Sequence, residues 1–367
     1  MKVGIVGLPA SGKSTLFRAL TGARAEAAPG PHAPRLAAVP VADPRVDRLA
    51  ALIRPKKVTY AQVEYAYVPG LGTGPAGRDR AVRRTEADAI PPALQAADAL
   101  LLVLRAFEDP AVPHPRGSVD PARDLADAHL ELLLRDLTVV ERRAERLAKS
   151  IPKTGRAEEK EELALLERLR GELEGERPLR ALSLSEEESP RLKGFGFLSA
   201  KPLLAVVNAD EEQLRSGAYA EPASALGIPS EEPGLASLTL CAKLEAELAE
   251  LSLEDRAAFL EDYGIETPAR ERVVAVSLAL LGLITFFTGN ERELRAWTVP
   301  RGTTALRAAG TVHSDLERGF IRAEVLGWED LLRLGGLAAA REKGQLRLEG
   351  KDYPVQDGDV IQVRFHV

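Results

Sequence analysis

The amino-acid sequence predicts an α/β protein with a mainly parallel sheet, an inserted α-helical coiled-coil hairpin and a small β-grasp-like module at its C-terminal end. Three observations predict this arrangement. Strand-like and helix-like stretches alternate over the first hundred residues. Two long, charged, amphipathic stretches then interrupt the alternation between residues 120 and 175. From about residue 286 the chain is β-rich around one helix-like segment.

The parallel sheet is predicted from six strand-like segments that helix-like stretches separate. These segments are residues 3–6, 35–41, 58–68, 99–104, 202–208 and 237–241. Asp43 and Pro44 form a typical helix start, because the carboxylate accepts hydrogen bonds from the first turn and proline suits the first helical position. Strands that alternate with helices usually build a parallel sheet covered on both faces.

The helical hairpin is predicted from two amphipathic stretches joined by a break. Asp120 and Pro121 repeat the helix start, and leucines follow at helical spacing. The segment "IPKTG" (151–155) separates this stretch from "RAEEKEELALLERLRGELEG" (156–175). Two such helices joined by a tight turn form an antiparallel hairpin. We interpret its many charges as a solvated face.

The C-terminal part follows the apolar run "VVAVSLALLGLITFF" (273–287), which is interpreted as a buried helix because it is shorter than the roughly 18 residues of a membrane span. Beyond it, "LRAWTV", "GFIRAEV", "QLRLEGKDYPV" and "DVIQVRFHV" are β-rich, and "WEDLLRLGGLAAAREKG" is the one clear helix. We therefore predict an α/β domain of residues 1–119 and 198–285, a helical insertion of residues 120–197 and a β-grasp-like domain of residues 286–367.

Composition limits the classes of protein to consider. A 367-residue chain with 45% hydrophobic and 28% charged residues is typical of a soluble globular protein. A single cysteine excludes an internal disulfide, and no secretory signal is expected, so we predict a cytoplasmic location and no membrane partner. The net charge of −6 argues against a basic nucleic-acid coat, and no DNA partner is expected.

The segment "GLPASGKST" (7–15) carries the strongest functional motif, G-x-x-x-x-G-K-[ST], between a strand-like and a helix-like stretch. The glycines let backbone N–H groups turn toward phosphate oxygens, and the following helix adds the positive end of its dipole. Lys13 is expected on the terminal phosphates, and the Ser14 hydroxyl on Mg²⁺. The segment therefore predicts a site for a nucleoside di- or triphosphate. Its predicted contact residues are Gly7, Pro9, Ala10, Ser11, Gly12, Lys13, Ser14 and Thr15.

Two later loops are predicted to contact the base, because ligands of parallel sheets bind beyond the carboxyl ends of the strands. They contribute Asn208, Ala209 and Glu211 from "VVNADEEQL", and Cys241, Ala242 and Lys243 from "CAKLEAEL". A guanine-reading loop usually has N-K-x-D, whose aspartate accepts both guanine N–H groups. Glu211 is one methylene too long for that geometry, so adenine becomes admissible. The sequence leaves ATP or ADP against GTP or GDP open.

These motifs and the C-terminal segments resemble the YchF/Obg-like ATPase family over nearly the whole chain. The similarity includes the phosphate loop, N-A-D-E for the family's N-x-x-E, "VDPARD" and "CAKLEAEL". It also includes "RAWTVPRGTTALRAAGTVHSDLERGFIRAEV" and "LRLEGKDYPVQDGDVIQVRF", which resemble the family's TGS domain. The resemblance implies a Ras-like P-loop domain, a helical arm and a C-terminal TGS domain. It also implies binding of ATP at least as readily as GTP, and a ribosomal partner through rRNA and ribosomal proteins.

The chain departs from this family in both switch regions. Tyr67 stands where the family's switch II aspartate reaches Mg²⁺, although Gly70 is kept as a γ-phosphate contact. Leu71 follows where Ras-like enzymes usually place the glutamine that orients water, and Pro31 replaces the switch I threonine. Because Ser14 is then the one recognisable Mg²⁺ ligand, the expectation is nucleotide binding with slow or absent hydrolysis and no identified catalytic residue.

Three functional interpretations remain open at this point. The first is a nucleotide-controlled, ribosome-associated factor; the second is an active ATPase or GTPase that uses unidentified groups. The third is a constitutive RNA- or ribosome-binding adaptor with a structural nucleotide. His114 is a conceivable catalytic substitute, with His32 a weaker one, although a loop position is the plainer interpretation for His114. The arginines of "RDRAVRR" (78–84), with Arg318 and Arg322, are either solvated or form an rRNA surface.

Overall fold

The chain forms two compact units. One consists of Met1, Val39–Val63 and Leu281–Val367, and the other of Lys2–Ala38 and Glu64–Leu280. The three-domain boundaries proposed from the sequence stay a prediction. The computed structural model describes residues 1–22, 34–68, 91–185, 187–192, 194–229, 232–252, 255–256, 259–260 and 267–366.

The first sheet has six strands in the order β2-β4-β1-β5-β6-β7. Its strands are β1 (Lys2–Val6), β2 (Arg35–Pro40), β4 (Gln62–Tyr67), β5 (Ala99–Arg105), β6 (Leu203–Asn208) and β7 (Leu235–Leu240). The pairs β1–β4, β1–β5, β5–β6 and β6–β7 are all parallel, which confirms the mainly parallel sheet. Every residue of β5 and β6 is buried, as expected for central strands covered on both faces.

The helices of the first 280 residues are mostly short, apart from the two helices of the hairpin. They are α1 (Lys13–Thr21), α2 (Pro44–Ile53), α3 (Pro92–Gln95), α4 (Pro121–Thr154), α5 (Ala157–Glu174), α6 (Glu188–Leu192), α7 (Glu211–Ser216), α8 (Pro222–Ala225), α9 (Ala242–Leu248) and α10 (Ala269–Leu280). The predicted start of α2 is confirmed, because the Asp43 carboxylate accepts from the Arg45 N–H at 3.0 Å.

The predicted helical hairpin is confirmed as α4 and α5. Asp120 caps α4, and Gly155 ends it in the left-handed conformation. A separate apolar cluster holds the two helices together, with Val140 and Leu147 of α4 against Leu166 and other leucines of α5. At the base of the hairpin, the buried Asp136 carboxylate accepts hydrogen bonds from the backbone N–H groups of residues 198 and 199, at 2.8 and 2.7 Å. The arm is therefore fixed to the segment that leads into β6.

The second sheet confirms the β-grasp-like module. Its strands are β3 (Lys57–Thr59), β8 (Leu283–Gly289), β9 (Glu293–Pro300), β10 (Phe320–Gly327), β11 (Arg347–Glu349) and β12 (Asp359–Phe365), in the order β11-β10-β12-β8-β9-β3. Strands β8 and β9 form an antiparallel hairpin, and β12 pairs with β8 in parallel. The helix α11 (Ala305–Val312) contributes Ala305 and Ala308 to the core of this sheet.

Two sequence-based expectations about this region are wrong. The apolar run 273–287 is not one helix: α10 ends at Leu280, Gly282 turns the chain with φ of 59°, and β8 follows. A run that is apolar throughout has no periodicity to separate a helix from a buried strand, and "ITFFT" favours a strand by its β-branched and aromatic residues. The C-terminal part also has more than one helix. These helices are α11, α12 (Ser314–Arg318), α13 (Trp328–Leu334) and α14 (Leu337–Glu342).

The division between α13 and α14 has a simple backbone cause. Gly335 and Gly336 have φ of 83° and 133°, which ends the first helix before the second begins. In the part of the chain that the structure describes, no helix is long and apolar enough to cross a membrane.

Candidate nucleotide-binding site

The loop between β1 and α1 has a backbone that requires its glycines. Gly7 and Gly12 have φ of 144° and 92°, in a region that other residues rarely adopt. A Cβ on Gly7 would lie 2.5 Å from the Val103 carbonyl oxygen, and one on Gly12 would lie 2.2 Å from Nδ2 of Asn208. The loop therefore packs against the ends of β5 and β6 at distances that only glycine allows.

Lys13, the first residue of α1, is buried beneath this loop. Its Nζ donates hydrogen bonds to the carbonyl oxygens of Gly7 at 2.8 Å and Leu8 at 2.5 Å. Burial lowers the pKa of the lysine to about 8, because the ammonium loses water. Neither partner carries a charge, so the loop holds a desolvated cation whose natural complement is an anion.

The rest of the loop also suits a phosphate group. Ser11 is buried, and its hydroxyl has no hydrogen-bond partner among the described residues. No side chain caps the first turn of α1, whose N–H groups point toward the loop. Pro9, Ala10 and Ser14 are exposed, and Thr15 is half-buried. An orphaned hydroxyl, an uncapped helix start and a buried ammonium together fit a polyphosphate.

Asn208 connects the phosphate loop to the loop after β7. Its Nδ2 donates to the Ser11 carbonyl oxygen at 3.0 Å, and its Oδ1 accepts from the Ala242 N–H at 2.9 Å. The side chain is buried, with 4% of its surface exposed. Asn208 therefore holds two backbone segments that are far apart in sequence, in addition to any contact with a base.

The predicted base loops lie side by side at the ends of β6 and β7. Ala209 is buried and donates its N–H to the Leu240 carbonyl oxygen at 2.9 Å. Glu211 begins α7, and its Oε1 lies 3.7 Å from Nζ of Lys243 in α9. Cys241 precedes α9 and is buried, which raises the pKa of its thiol. The geometry thus brings the side chains of Glu211 and Lys243 within ion-pair distance of each other.

Two residues near the loop were not singled out by the sequence analysis. Phe107 places a ring carbon 3.9 Å from the position of a Cβ on Gly12. Arg105, at the end of β5, is 1% exposed, and its guanidinium donates to the carbonyl oxygens of Phe107 at 3.0 Å and Val112 at 2.9 Å. An arginine that closes the apolar run "ALLLVL" is the feature that could have pointed to this segment.

The remaining predicted residues make contacts of their own or lie outside the described residues. His114 is buried with its Nε2 2.9 Å from Oδ2 of Asp124, so it joins its own loop to the start of α4. Tyr67 ends β4, with its ring 6.2 Å from that of Phe17 and beneath the Arg35 guanidinium. The predictions on Gly70, Leu71, Pro31, His32 and the arginines of 78–84 concern positions outside the described residues.

The first strand of the parallel sheet leads through this glycine loop into a helix, and the loop covers a buried lysine. This arrangement defines a P-loop nucleotide-binding protein of the GTPase class. Comparisons with known proteins agree. Residues 2–140 match the family model described as "50S ribosome-binding GTPase", and residues 283–366 match the C-terminal model of the YchF GTPases, described as "Protein of unknown function (DUF933)".

The similarity to individual proteins extends over the whole chain. Proteins named "Ribosome-binding ATPase YchF" from Haemophilus ducreyi and Bacillus subtilis are 40% and 39% identical, covering 100% of this chain and 99% and 100% of theirs. The structure of the Schizosaccharomyces pombe YchF GTPase matches with a TM-score of 0.80 at 30% identity, covering 99% of this chain and 97% of that one. The chain belongs to the YchF family.

Proposed function

We propose that this chain binds a purine nucleotide in its phosphate loop and that the nucleotide controls its association with ribosomes in the cytoplasm. ATP, GTP and their diphosphates are the candidate ligands. The observation that carries the proposal is the buried Lys13 ammonium, which donates to two loop carbonyls and has no acidic partner among the residues that the structure describes. The names of the relatives, ribosome-binding ATPases, support the ribosomal partner.

The residues around Lys13 have distinct roles in this proposal. Ser11 and the first turn of α1 would supply uncharged donors to the phosphates, and the Ser14 hydroxyl would hold Mg²⁺. A bound Mg²⁺ supplies positive charge that offsets the charge of the phosphates. Asn208 keeps the loop in position through its hydrogen bond to Ser11. The Glu211 and Lys243 side chains, which lie 3.7 Å apart, are proposed to distinguish the purine base.

Hydrolysis is proposed to be slow or absent, and Tyr67 supports this part. Tyr67, the last residue of β4, packs on Phe17 and has a phenol in place of a carboxylate that could bind Mg²⁺ or its water. Phosphoryl transfer needs the metal and a positioned water, so weakening either contact lowers the rate. The relatives' name favours the alternative, an active ATPase, and a single-turnover assay separates the two. Rapid Mg²⁺-dependent release of phosphate from ATP would establish the alternative.

Calorimetry with ADP and GDP, with and without Mg²⁺, tests nucleotide binding and base preference together. Lys13→Ala should weaken the better ligand by about 10- to 100-fold, because it removes charge-assisted hydrogen bonds to phosphate. The matched control is Lys2→Ala, which removes an exposed lysine paired with Glu64 at 3.3 Å. Unchanged affinity in Lys13→Ala would contradict the proposal.

The base preference has its own test in the Glu211 side chain. Glu211→Asp shortens the carboxylate to the length that suits the two N–H groups of guanine, so the ratio of GDP to ADP affinity should rise. A ratio that stays the same would place base discrimination on the backbone of residues 209 and 242 instead.

Ribosome co-sedimentation with ADP, with a non-hydrolysable ATP analogue and without nucleotide tests the control step. Different ribosome affinities in the three states would support nucleotide control, since a ligand shifts an equilibrium only by its differential affinity. Equal binding in all three would favour the adaptor with a structural nucleotide.

A further inference from the structure

A cavity of about 250 Å³ lies beside one edge of strand β9. It is lined by residues 59–62, by residues 295–298 of β9 and by Thr311 of helix α11. All of these residues belong to the unit that contains Val39–Val63 and Leu281–Val367. Sites that hold a cofactor or a drug-sized ligand usually have volumes of about 300 to 1,000 Å³. This cavity is smaller and suits a single side chain, so the backbone beside it determines which kind of ligand it can take.

Strand β9 is open on its outer edge, the edge that faces away from β8. Strand β3 pairs with this edge in parallel only as far as Thr59, which lies opposite Arg295. Beyond that pair β9 continues to Pro300, and no strand among the described residues pairs with this part of its outer edge. The position beside residues 297–300 can therefore accept a further strand.

The backbone of Thr298 points toward this open position. Thr298 lies opposite Thr285 of β8. The N–H of Thr285 donates to Oδ1 of Asp357, and its carbonyl oxygen accepts from the N–H of Gly358, both at 2.8 Å. Two opposite residues of an antiparallel pair either bond to each other or both turn their backbone groups outward. The N–H and carbonyl of Thr298 are therefore turned away from β8, and neither has a partner among the described residues.

The wall of the cavity is held by internal hydrogen bonds and carries a positive charge. The indole Nε1 of Trp297 donates to Oγ1 of Thr288 at 2.9 Å, and the Tyr60 hydroxyl donates to the Asp47 carboxylate. The Arg295 guanidinium lies over the Trp297 ring, 4.0 Å from its centroid. A guanidinium on an indole face is a stable arrangement, so the charge is held in place at the cavity.

The Arg295 charge is available to a ligand, although an acidic residue lies two positions earlier on β9. The Glu293 carboxylate pairs with Nζ of Lys57 at 3.2 Å and accepts from Oγ1 of Thr59 at 2.7 Å. The pKa of Glu293 is lowered mainly by the hydrogen bond from Thr59, and the Arg295 charge contributes only through space. Arg295 itself forms no ion pair within the part of the chain that the structure describes. Its natural ligand is a carboxylate, to which a guanidinium donates charge-assisted hydrogen bonds.

We propose that the outer edge of β9 binds an extended acidic peptide, which adds an antiparallel strand and places a glutamate side chain in the cavity. The peptide residue opposite Thr298 exchanges two backbone hydrogen bonds with it. The next peptide residue, opposite Trp297, points to the face of the sheet that carries Arg295, because side chains alternate along a strand. Backbone hydrogen bonds supply the affinity of such complexes, and the side-chain pocket supplies the specificity. This inference does not depend on nucleotide binding or on the ribosomal partner.

The test uses the full-length protein and a short fluorescein-labelled peptide of alternating valine and threonine that contains one glutamate. Affinity is measured by anisotropy. Arg295→Gln should weaken binding by about 10- to 100-fold, because it removes a charge-assisted hydrogen bond. The same peptide with glutamine in place of glutamate should bind the wild-type protein with similarly reduced affinity. The matched control is Arg292→Gln, which removes an exposed arginine from the turn between β8 and β9 and should keep the wild-type affinity.

The added strand has its own test in the hydrogen bonds of Thr298. Thr298→Pro removes the outward N–H but no bond to β8, and proline is tolerated where the N–H of a strand faces outward. The variant should keep the wild-type circular dichroism and bind the peptide at least about fivefold more weakly, as expected for one lost hydrogen bond. N-methylation of the peptide residue before the glutamate should also weaken binding, whereas N-methylation of the glutamate, whose N–H points away from β9, should not. The methylated peptides test the same bonds with wild-type protein if Thr298→Pro does not fold.

Four outcomes would overturn the inference. Wild-type protein that does not bind the peptide would exclude the site, and equal affinity for the glutamate and glutamine peptides would exclude the acidic ligand. Equal effects of the two N-methyl groups would exclude strand addition. Light scattering that shows a wild-type dimer and a monomeric Thr298→Pro variant would identify a second copy of this chain as the occupant of the edge.

Discussion

The hydrogen bonds of Asn208 allow a quantitative prediction for Asn208→Ala. The substitution leaves the Ser11 carbonyl and the Ala242 N–H without their present partners, which lie at 3.0 and 2.9 Å. A typical internal hydrogen bond contributes about 1 kcal/mol net, so losing both amounts to about 2 kcal/mol. If the loss acts on the ordered loop that binds phosphate, ADP affinity falls by about 30-fold, since 1.4 kcal/mol corresponds to a factor of ten.

Two measurements check this prediction. Calorimetry gives the ADP affinity, and hydrogen exchange read by mass spectrometry gives the protection of the backbone at the start of α9. Both should decrease in the variant, because the same side chain holds both segments. The matched control is Asn290→Ala, whose amide oxygen accepts from the N–H groups of Arg292 and Glu293 in a turn between β8 and β9.

The control should keep the wild-type affinity for ADP. The reasoning would be refuted if Asn208→Ala retained both full ADP affinity and full protection of α9. Reduced affinity with unchanged protection would show instead that the amide acts mainly on the ligand.

Three further predictions concern the same unit. Because the pKa of Lys13 is lowered to about 8, the lysine of the nucleotide-free protein is largely protonated at pH 7 and largely neutral at pH 9. If bound phosphate keeps the lysine protonated, the ADP affinity measured by calorimetry should fall about tenfold from pH 7 to pH 9. An affinity that does not change with pH would contradict the role of the ammonium. Gly12→Ala should abolish detectable ADP binding while circular dichroism stays native, because its Cβ would lie 2.2 Å from the Asn208 amide nitrogen; retained binding would show that the loop can shift. Asp136→Ala should lower the free energy of unfolding by about 2 to 5 kcal/mol in chemical denaturation, because two buried N–H groups lose their acceptor; a change below 1 kcal/mol would mean that water replaces the carboxylate.

The parts of the fold that depend on local sequence were predictable. The phosphate loop, the capped starts of α2 and α4, and the hairpin turn at Gly155 each follow from residues within a few positions of one another. Strand β8 was not predictable from periodicity, because its sequence continues an apolar helix without a polar interruption. The division of α13 from α14 depends on two adjacent glycines. These glycines do not interrupt the helical pattern of the sequence, but their positive φ angles end the helix in the structure.

The candidate site shows the same limit. Motif spacing predicted the phosphate loop and the two segments that are proposed to contact the base, since each segment is contiguous in sequence. The double hydrogen bond of Asn208 and the approach of Phe107 to Gly12 depend on strand order, which places residues from distant parts of the sequence at one edge of the sheet. A single sequence specifies neither the order of the strands nor the distances between their ends.

The attachment of the hairpin at Asp136 has a mechanical consequence. The Asp136 carboxylate accepts hydrogen bonds from residues 198 and 199, which lead directly into β6 and so to Asn208. A fully bonded strand resists stretching, so a shift of the asparagine along the strand direction would be transmitted to the anchor. Beyond the anchor, α4 extends for about 27 Å at 1.5 Å per residue, and a tilt of about 10° would displace its end by about 5 Å, close to one helical turn. The length of the arm therefore amplifies a small rotation at Asp136 into a displacement of several ångströms at the end of α4.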